Sequence, residues 1–129
     1  MFKAVLMVFL GGGLGSVLRF LISKSVITEW GKSLPLATFV SNMIACLILG
    51  LVIYLLKSKD EIFSTTVVLF LMVGFCGGLS TFSTFSLESL QLMRQGMYWQ
   101  FFLNLFLSVG MGMLTIYLLI SKFPPHENL

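Results

Sequence analysis

A chain of 129 residues that is 57% hydrophobic and only 10% charged, with a mean hydropathy of +1.01, carries more apolar surface than one small water-soluble core can bury, so lipid must cover the remainder. The net charge of +3 is spread along the chain rather than gathered into a basic patch, which argues against nucleic acid as a partner. No Gly-x-x-x-x-Gly-Lys-Ser/Thr loop is present to hold a nucleotide, and no paired carboxylates, metal-ligand cluster or nucleophile with a histidine base suggests an enzyme.

At about 20 apolar residues per helical crossing, four spans are predicted. The first runs from Phe2 to Ser23. Lys3 precedes its apolar run as in a secretory leader, but the run continues well past a leader's core and is read as a retained span. It holds the cluster Gly11-Gly12-Gly13-Leu14-Gly15-Ser16, and a polar connection, Lys24 to Ser33, follows with Trp30 as an interfacial ring. The second span, Leu34 to Leu56, carries Asn42 in its interior and pairs Cys46 with Gly50 at small-xxx-small spacing. Lys57 to Glu61 connects it to the third, Ile62 to Leu92. The turn Arg94 to Gly96 then leads through the interfacial Tyr98 and Trp99 into the fourth, Tyr98 to Ile120, which contains Asn104, Ser108 and Thr115. Cys46 and Cys76 both fall within spans and read as small packing residues, and His126 lies alone in the tail.

The third span is the informative one. Gly74 through Phe85 interrupts it with glycines, hydroxyls and aromatic rings where hydrocarbon is thickest. A backbone that leaves helical geometry there persists only if buried in protein or lining a polar path. If helix resumes after the break, Thr81, Phe82, Thr84, Phe85 and Glu88 fall on one connected arc at about 100° per residue, with Thr84 and Glu88 one turn apart. Aromatic rings have positive edges, so Phe82 and Phe85 can meet a small anion edge-on. Two phenylalanines at this spacing also simply pack in bundles.

Charges inside spans are candidates for function. Arg19 lies toward the far end of the first span, where it either lines an aqueous vestibule or snorkels to headgroups. Glu88 is expected in a pore lining, accepting a hydrogen bond from Thr84, protonated, or exchanging contacts as an ion passes. Assigned to the loops of four crossings, Lys3, Lys57, Lys59 and Lys122 share one face of the membrane, and Arg19, Lys24, Lys32 and Arg94 the other. With no excess on either side, both orientations insert, and an antiparallel homodimer with a twofold axis in the membrane plane follows. The predicted fold is therefore an all-α membrane protein: four transmembrane helices in a single domain over 1–129, the third broken near the bilayer midplane, in an antiparallel dual-topology homodimer.

Three blocks carry a resemblance: Gly11 through Phe20, Thr38-Phe39-Val40-Ser41-Asn42, and Gly74 through Phe85, of which the third is the most specific. Together they resemble the signature blocks of the CrcB/Fluc fluoride channels over essentially the whole chain. The resemblance, rather than composition, supplies the ion. It implies passive, selective fluoride export across a bacterial cytoplasmic membrane, through two pores of an antiparallel dimer with a central structural sodium ion. It further implies that Asn42 and Ser83 donate hydrogen bonds to fluoride near Phe82 and Phe85, with Thr84 continuing the polar track. The carbonyls of Gly77 and Ser80 from both subunits would hold sodium. Ser80 stands where threonine is the commoner residue, a change that a backbone ligand survives.

The alternative is a small dual-topology proton-coupled multidrug exporter, which shares the size and span count. That class wants a membrane-embedded carboxylate early in the chain, whereas here the embedded candidate is Glu88. A third possibility is an accessory subunit that transports nothing.

Overall fold

The computed structural model describes residues 1–26, 35–58 and 64–121; Trp30, Lys32, Lys59, Glu61, Lys122 and His126 lie outside the described residues. Within them the fold is all-helical, with four helices long and apolar enough to cross a membrane: Phe2–Val26, Leu36–Leu56, Thr65–Arg94 and Tyr98–Ile120. Helices are what lipid requires, because each satisfies its own backbone hydrogen bonds.

Helix α1 (Phe2–Val26) is followed by α2 (Leu36–Ser58), which begins directly after Pro35, whose carbonyl accepts the N–H of Phe39 at 3.1 Å. The third span consists of two pieces. Helix α3 covers residues 65–79 and widens to i→i+5 geometry over Leu69–Cys76. Ser80 (φ −77°, ψ 154°) and Thr81 (φ −151°, ψ 112°) are then extended, and α4 (Phe82–Arg94) starts anew. The interruption sits halfway along Thr65–Arg94, yet the span as a whole bends by only 20°. At its far end Gly96 (φ 73°) makes the turn, with Gly96 N–H bonded to Met93 and Met97 N–H to Leu92; glycine takes this left-handed conformation without the clash a Cβ brings. Helix α5 (Tyr98–Ile120) is widened over Leu107–Met111.

Packing follows from small residues, since helices in lipid gain little by hiding apolar surface from one another. Helix α1 lies on α3 backbone to backbone. A Cβ on Gly11 would meet Phe70 O and the Phe75 and Gly74 backbone, and one on Gly15 would meet Phe75 O and Leu79 N. Reciprocally, a Cβ on Gly78 would strike the Gly12 backbone. The spaced glycines of the first and third spans thus form one seam inside the protomer. On the other side α2 packs against the second half of α5, with Gly50 facing Leu119 and Gly112 facing Met43 and Cys46. Ala45, Cys76 and Leu79 form the core, joined by Leu18, Ile44 and Phe75 among others. Large apolar side chains of every span remain exposed, including Phe9, Leu47, Val73 and Phe106.

Candidate functional site

The break is built by hydrogen bonds that replace those the helix gives up. In a continuous helix the Thr81 N–H would serve the carbonyl of Gly77; here it donates to Asn42 Oδ1 on α2 at 2.8 Å. The Thr84 N–H would serve Ser80 but goes to Thr81 Oγ1 at 3.3 Å, making Thr81 the N-cap of α4. The Gly78 carbonyl accepts from Ser16 Oγ on α1 at 3.4 Å instead. The carbonyls of Gly77 and Ser80 are therefore those whose helical donors have been drawn away. Gly77 is exposed, with nothing within 4 Å of where a Cβ would stand.

Two cavities meet this break. One, of about 270 Å³, opens between α1, α2 and α4 and is the more polar of the two, lined among others by Ser16, Arg19, Thr38, Ser41, Thr84 and Glu88. The other, of about 250 Å³, lies between α2, α4 and α5 and is mostly apolar, with Asn42, Cys46, Ser80, Phe82, Phe85 and Ser108 on its walls. Thr81 lines both.

The single arc expected from helical spacing is accordingly split. Thr84 and Glu88 face the polar cavity, and Phe82 and Phe85 the aromatic one. The two rings stand 6.2 Å apart, inclined by 38°. Phe85 is 9% exposed, whereas Phe82 is 81% exposed and Ser83 beside it is exposed as well. Ser83 Oγ lies 3.4 Å from Thr81 Oγ1 and lines neither cavity. Asn42 is half-buried; because a backbone N–H can only donate, its Oδ1 is committed to Thr81 and its amide N–H groups are what it offers the aromatic cavity.

Glu88 differs from the expectation in its partner. Its Oε1 accepts from Thr38 Oγ1 on α2 at 2.8 Å, not from Thr84, and its buried Oε2 has no partner among the described residues. The Thr84 hydroxyl is instead engaged by Thr81, whose Oγ1 donates to it at 2.9 Å. Arg19 shares the polar cavity with Glu88 rather than standing apart from it.

Sequence reasoning gave no role to Thr38, Ser41 or Ser16, although the first two lie in a quoted block and Ser16 closes the glycine cluster. It expected Asn104, Ser108 and Thr115 to complete a polar wall; of these Ser108 lines the aromatic cavity, and Asn104 and Thr115 line neither cavity. Asn104 is 4% exposed, donates to Ser89 Oγ at 3.1 Å and accepts from Ser108 Oγ at 3.4 Å, tying α4 to α5. Its position in an apolar helix, where a buried amide demands partners, was the available signal.

Comparison with known proteins places these features in a family. The family described as CrcB-like protein, Camphor Resistance (CrcB), matches residues 6–120. A protein of Phocaeicola vulgatus named fluoride-specific ion channel FluC is 44% identical over 116 residues, covering 90% of this chain and 94% of that one. Proteins of the same name from Flavobacterium psychrophilum and Pyrococcus horikoshii are 38% and 40% identical, covering 93% and 94% of this chain and 98% and 94% of their own length. On a family match over nearly its whole length and relatives aligned end to end, the chain belongs to the CrcB family.

Proposed function

We propose that this chain is a passive, selective fluoride channel of the bacterial cytoplasmic membrane that lets fluoride leave the cell and so confers fluoride resistance. The observation that carries this is the interruption at Ser80 and Thr81, flanked by a polar and an aromatic cavity, in a chain 44% identical to a protein named a fluoride-specific ion channel. A broken span costs backbone hydrogen bonds in lipid, and a solute path beside it is the use that repays them. No bond is made or broken in the solute, and the membrane potential and concentration gradient supply the drive.

Each lining group has a physical part. Arg19 makes the polar cavity attractive to anions and raises their local concentration. Thr84 and Asn42 donate hydrogen bonds, and Phe82 and Phe85 present ring edges. A small anion gains most from such close contacts, which is why chloride is excluded. Glu88 shares the wall with Arg19, one oxygen held by Thr38 and the other open to exchange partners as an ion passes.

The assembly is an antiparallel dual-topology homodimer. Phe82, Ser83 and Gly77 all lie exposed on the protomer around the middle of the third span, and a hydroxyl such as that of Ser83 is costly to leave in hydrocarbon. An inverted second copy covers them, letting Ser83 and Phe82 contribute to a pore shared by two chains. The donor set at the break fits a hard cation, because the Gly77 and Ser80 carbonyls have lost their helical donors to Asn42 and Thr81. Sodium held there would supply positive charge at the seam between two runs of freed carbonyls.

The test is purified full-length protein in liposomes loaded with potassium fluoride, read by a fluoride electrode. Rapid efflux that requires a potassium ionophore is expected. Proton-driven uptake of a cationic drug instead would indicate the exporter, and neither activity would indicate an accessory subunit.

A further inference from the structure

Thr81 is 8% exposed, stands on the walls of both cavities, and is the most connected polar residue at the break. Its N–H is fixed by Asn42, and its Oγ1 accepts the Thr84 N–H, lies 3.4 Å from Ser83 Oγ and donates to Thr84 Oγ1 at 2.9 Å. A threonine hydroxyl has one proton. Thr81 gives that proton to Thr84, so the Thr84 proton remains for the polar cavity. A hydroxyl that accepts a hydrogen bond also donates a stronger one. The aromatic cavity, on the other side of Thr81, is served by the amide of Asn42, whose carbonyl is held by the Thr81 backbone. The donors facing the two cavities are thus both oriented by one residue.

We propose that the two cavities are consecutive chambers of a single anion passage and that Thr81 is the positioning residue at their partition. Its hydroxyl aims the Thr84 proton into the polar chamber, and its N–H turns the Asn42 amide toward the aromatic one. This deepens the fluoride-channel reading and rests on it. The cap at the start of α4 is a separate, structural duty of the same oxygen, and three substitutions divide the two. Thr81→Ser keeps cap and hydroxyl. Thr81→Val keeps the shape and loses both. Thr81→Asn restores an N-capping oxygen, while its amide donor stands one bond farther from the backbone than a hydroxyl and does not reproduce the Thr81 geometry toward Thr84 Oγ1.

Each variant is reconstituted at matched density and scored for ionophore-dependent fluoride efflux, and separately for its thermal unfolding midpoint in detergent. Thr81→Ser is expected within about threefold of the unsubstituted protein, and Thr81→Val at a tenth of its flux or less; Thr81→Asn recovers stability while its flux stays at the Val level. Val conducting within twofold, Asn restoring flux in step with stability, or Ser falling to a tenth at unaltered stability would each overturn the proposal. If Val does not fold, Asn against Ser decides. Unsubstituted protein that passes no fluoride would defeat the channel reading itself, an outcome distinct from all of these.

Discussion

Gly15→Ala tests whether the contact between α1 and α3 is one of backbone on backbone. A Cβ there would stand 2.7 Å from Leu79 N and 3.1 Å from the Gly78 carbonyl carbon, besides striking Phe75 O. Ordinary contact begins at 3.4 Å, so the helices must part by about 0.7 Å against Leu79 and by more against Phe75. No flexible side chain is available to give way. Forced overpacking of this kind costs about 1–3 kcal/mol, more than the ~1 kcal/mol by which alanine favours a helix over glycine. Gly13→Ala is the matched control, two residues away on the same helix with nothing within 4 Å of its Cβ, and it retains the propensity gain alone. The propensity gain is common to both and cancels, so the two variants should differ by the overpacking cost of about 1–3 kcal/mol, a separation of roughly 3–15 °C in unfolding midpoint for a chain of this size. Size-exclusion after a thermal ramp in detergent measures it. Equal midpoints for the two alanines would refute the close approach and with it the placement of α3 against α1.

Asn42→Asp keeps an oxygen that can accept the Thr81 N–H, so the break should survive, while its negative charge on the aromatic cavity lowers fluoride flux by about tenfold or more in the liposome assay. Wild-type flux would remove Asn42 from the path. Phe82→Ile replaces an 81% exposed ring at little cost to the protomer and forfeits its positive edge, an effect of about 0.5–1.5 kcal/mol and hence roughly two- to twelvefold in flux. No change would return the pair of rings to simple packing. Gly77→Cys, in a background with Cys46→Ala and Cys76→Ala, should crosslink to its own counterpart, since residues near the twofold axis of an inverted dimer meet themselves. Arg94→Cys at the end of the span should not, and self-crosslinking at Arg94 would show parallel copies.

The four spans were legible because hydrocarbon length and apolar run are the same measurement, and the break was legible because hydroxyls following a glycine run in mid-span offer lipid little that is apolar. The glycine cluster of the first span and the glycines from Gly74 onward in the third could be read, but not that they pack on each other. That depends on where two helices lie in space, which the chain settles only on packing. The widened turns at Leu69–Cys76 and Leu107–Met111 left no trace, being written in ordinary apolar residues.

The structure brings Asn42, Ser80, Phe82 and Phe85 to one cavity and Arg19, Thr84 and Glu88 to another, in a geometry that helical spacing alone did not describe. Projecting Thr81 onto a helical wheel assumes a helix, and Thr81 is extended. Thr84, one turn away, was one of the possibilities open to Glu88, but the cap of α4 engages Thr84 with Thr81, and Glu88 reaches across to Thr38, 50 residues distant. The same competition sorts the backbone groups at the break. Two N–H groups freed by the break are matched within the protein, by Asn42 and by Thr81, whereas the carbonyls that lost them, Gly77 and Ser80, gain no substitute from those donors. Carbonyl oxygens of this kind are what a hard cation takes, in keeping with the sodium proposed above. Hydroxyl and amide donors line the cavities on either side, which suits a negative ion. Asn42 and Thr81 stand between the two, so substituting either should disturb ion passage before it unfolds the bundle.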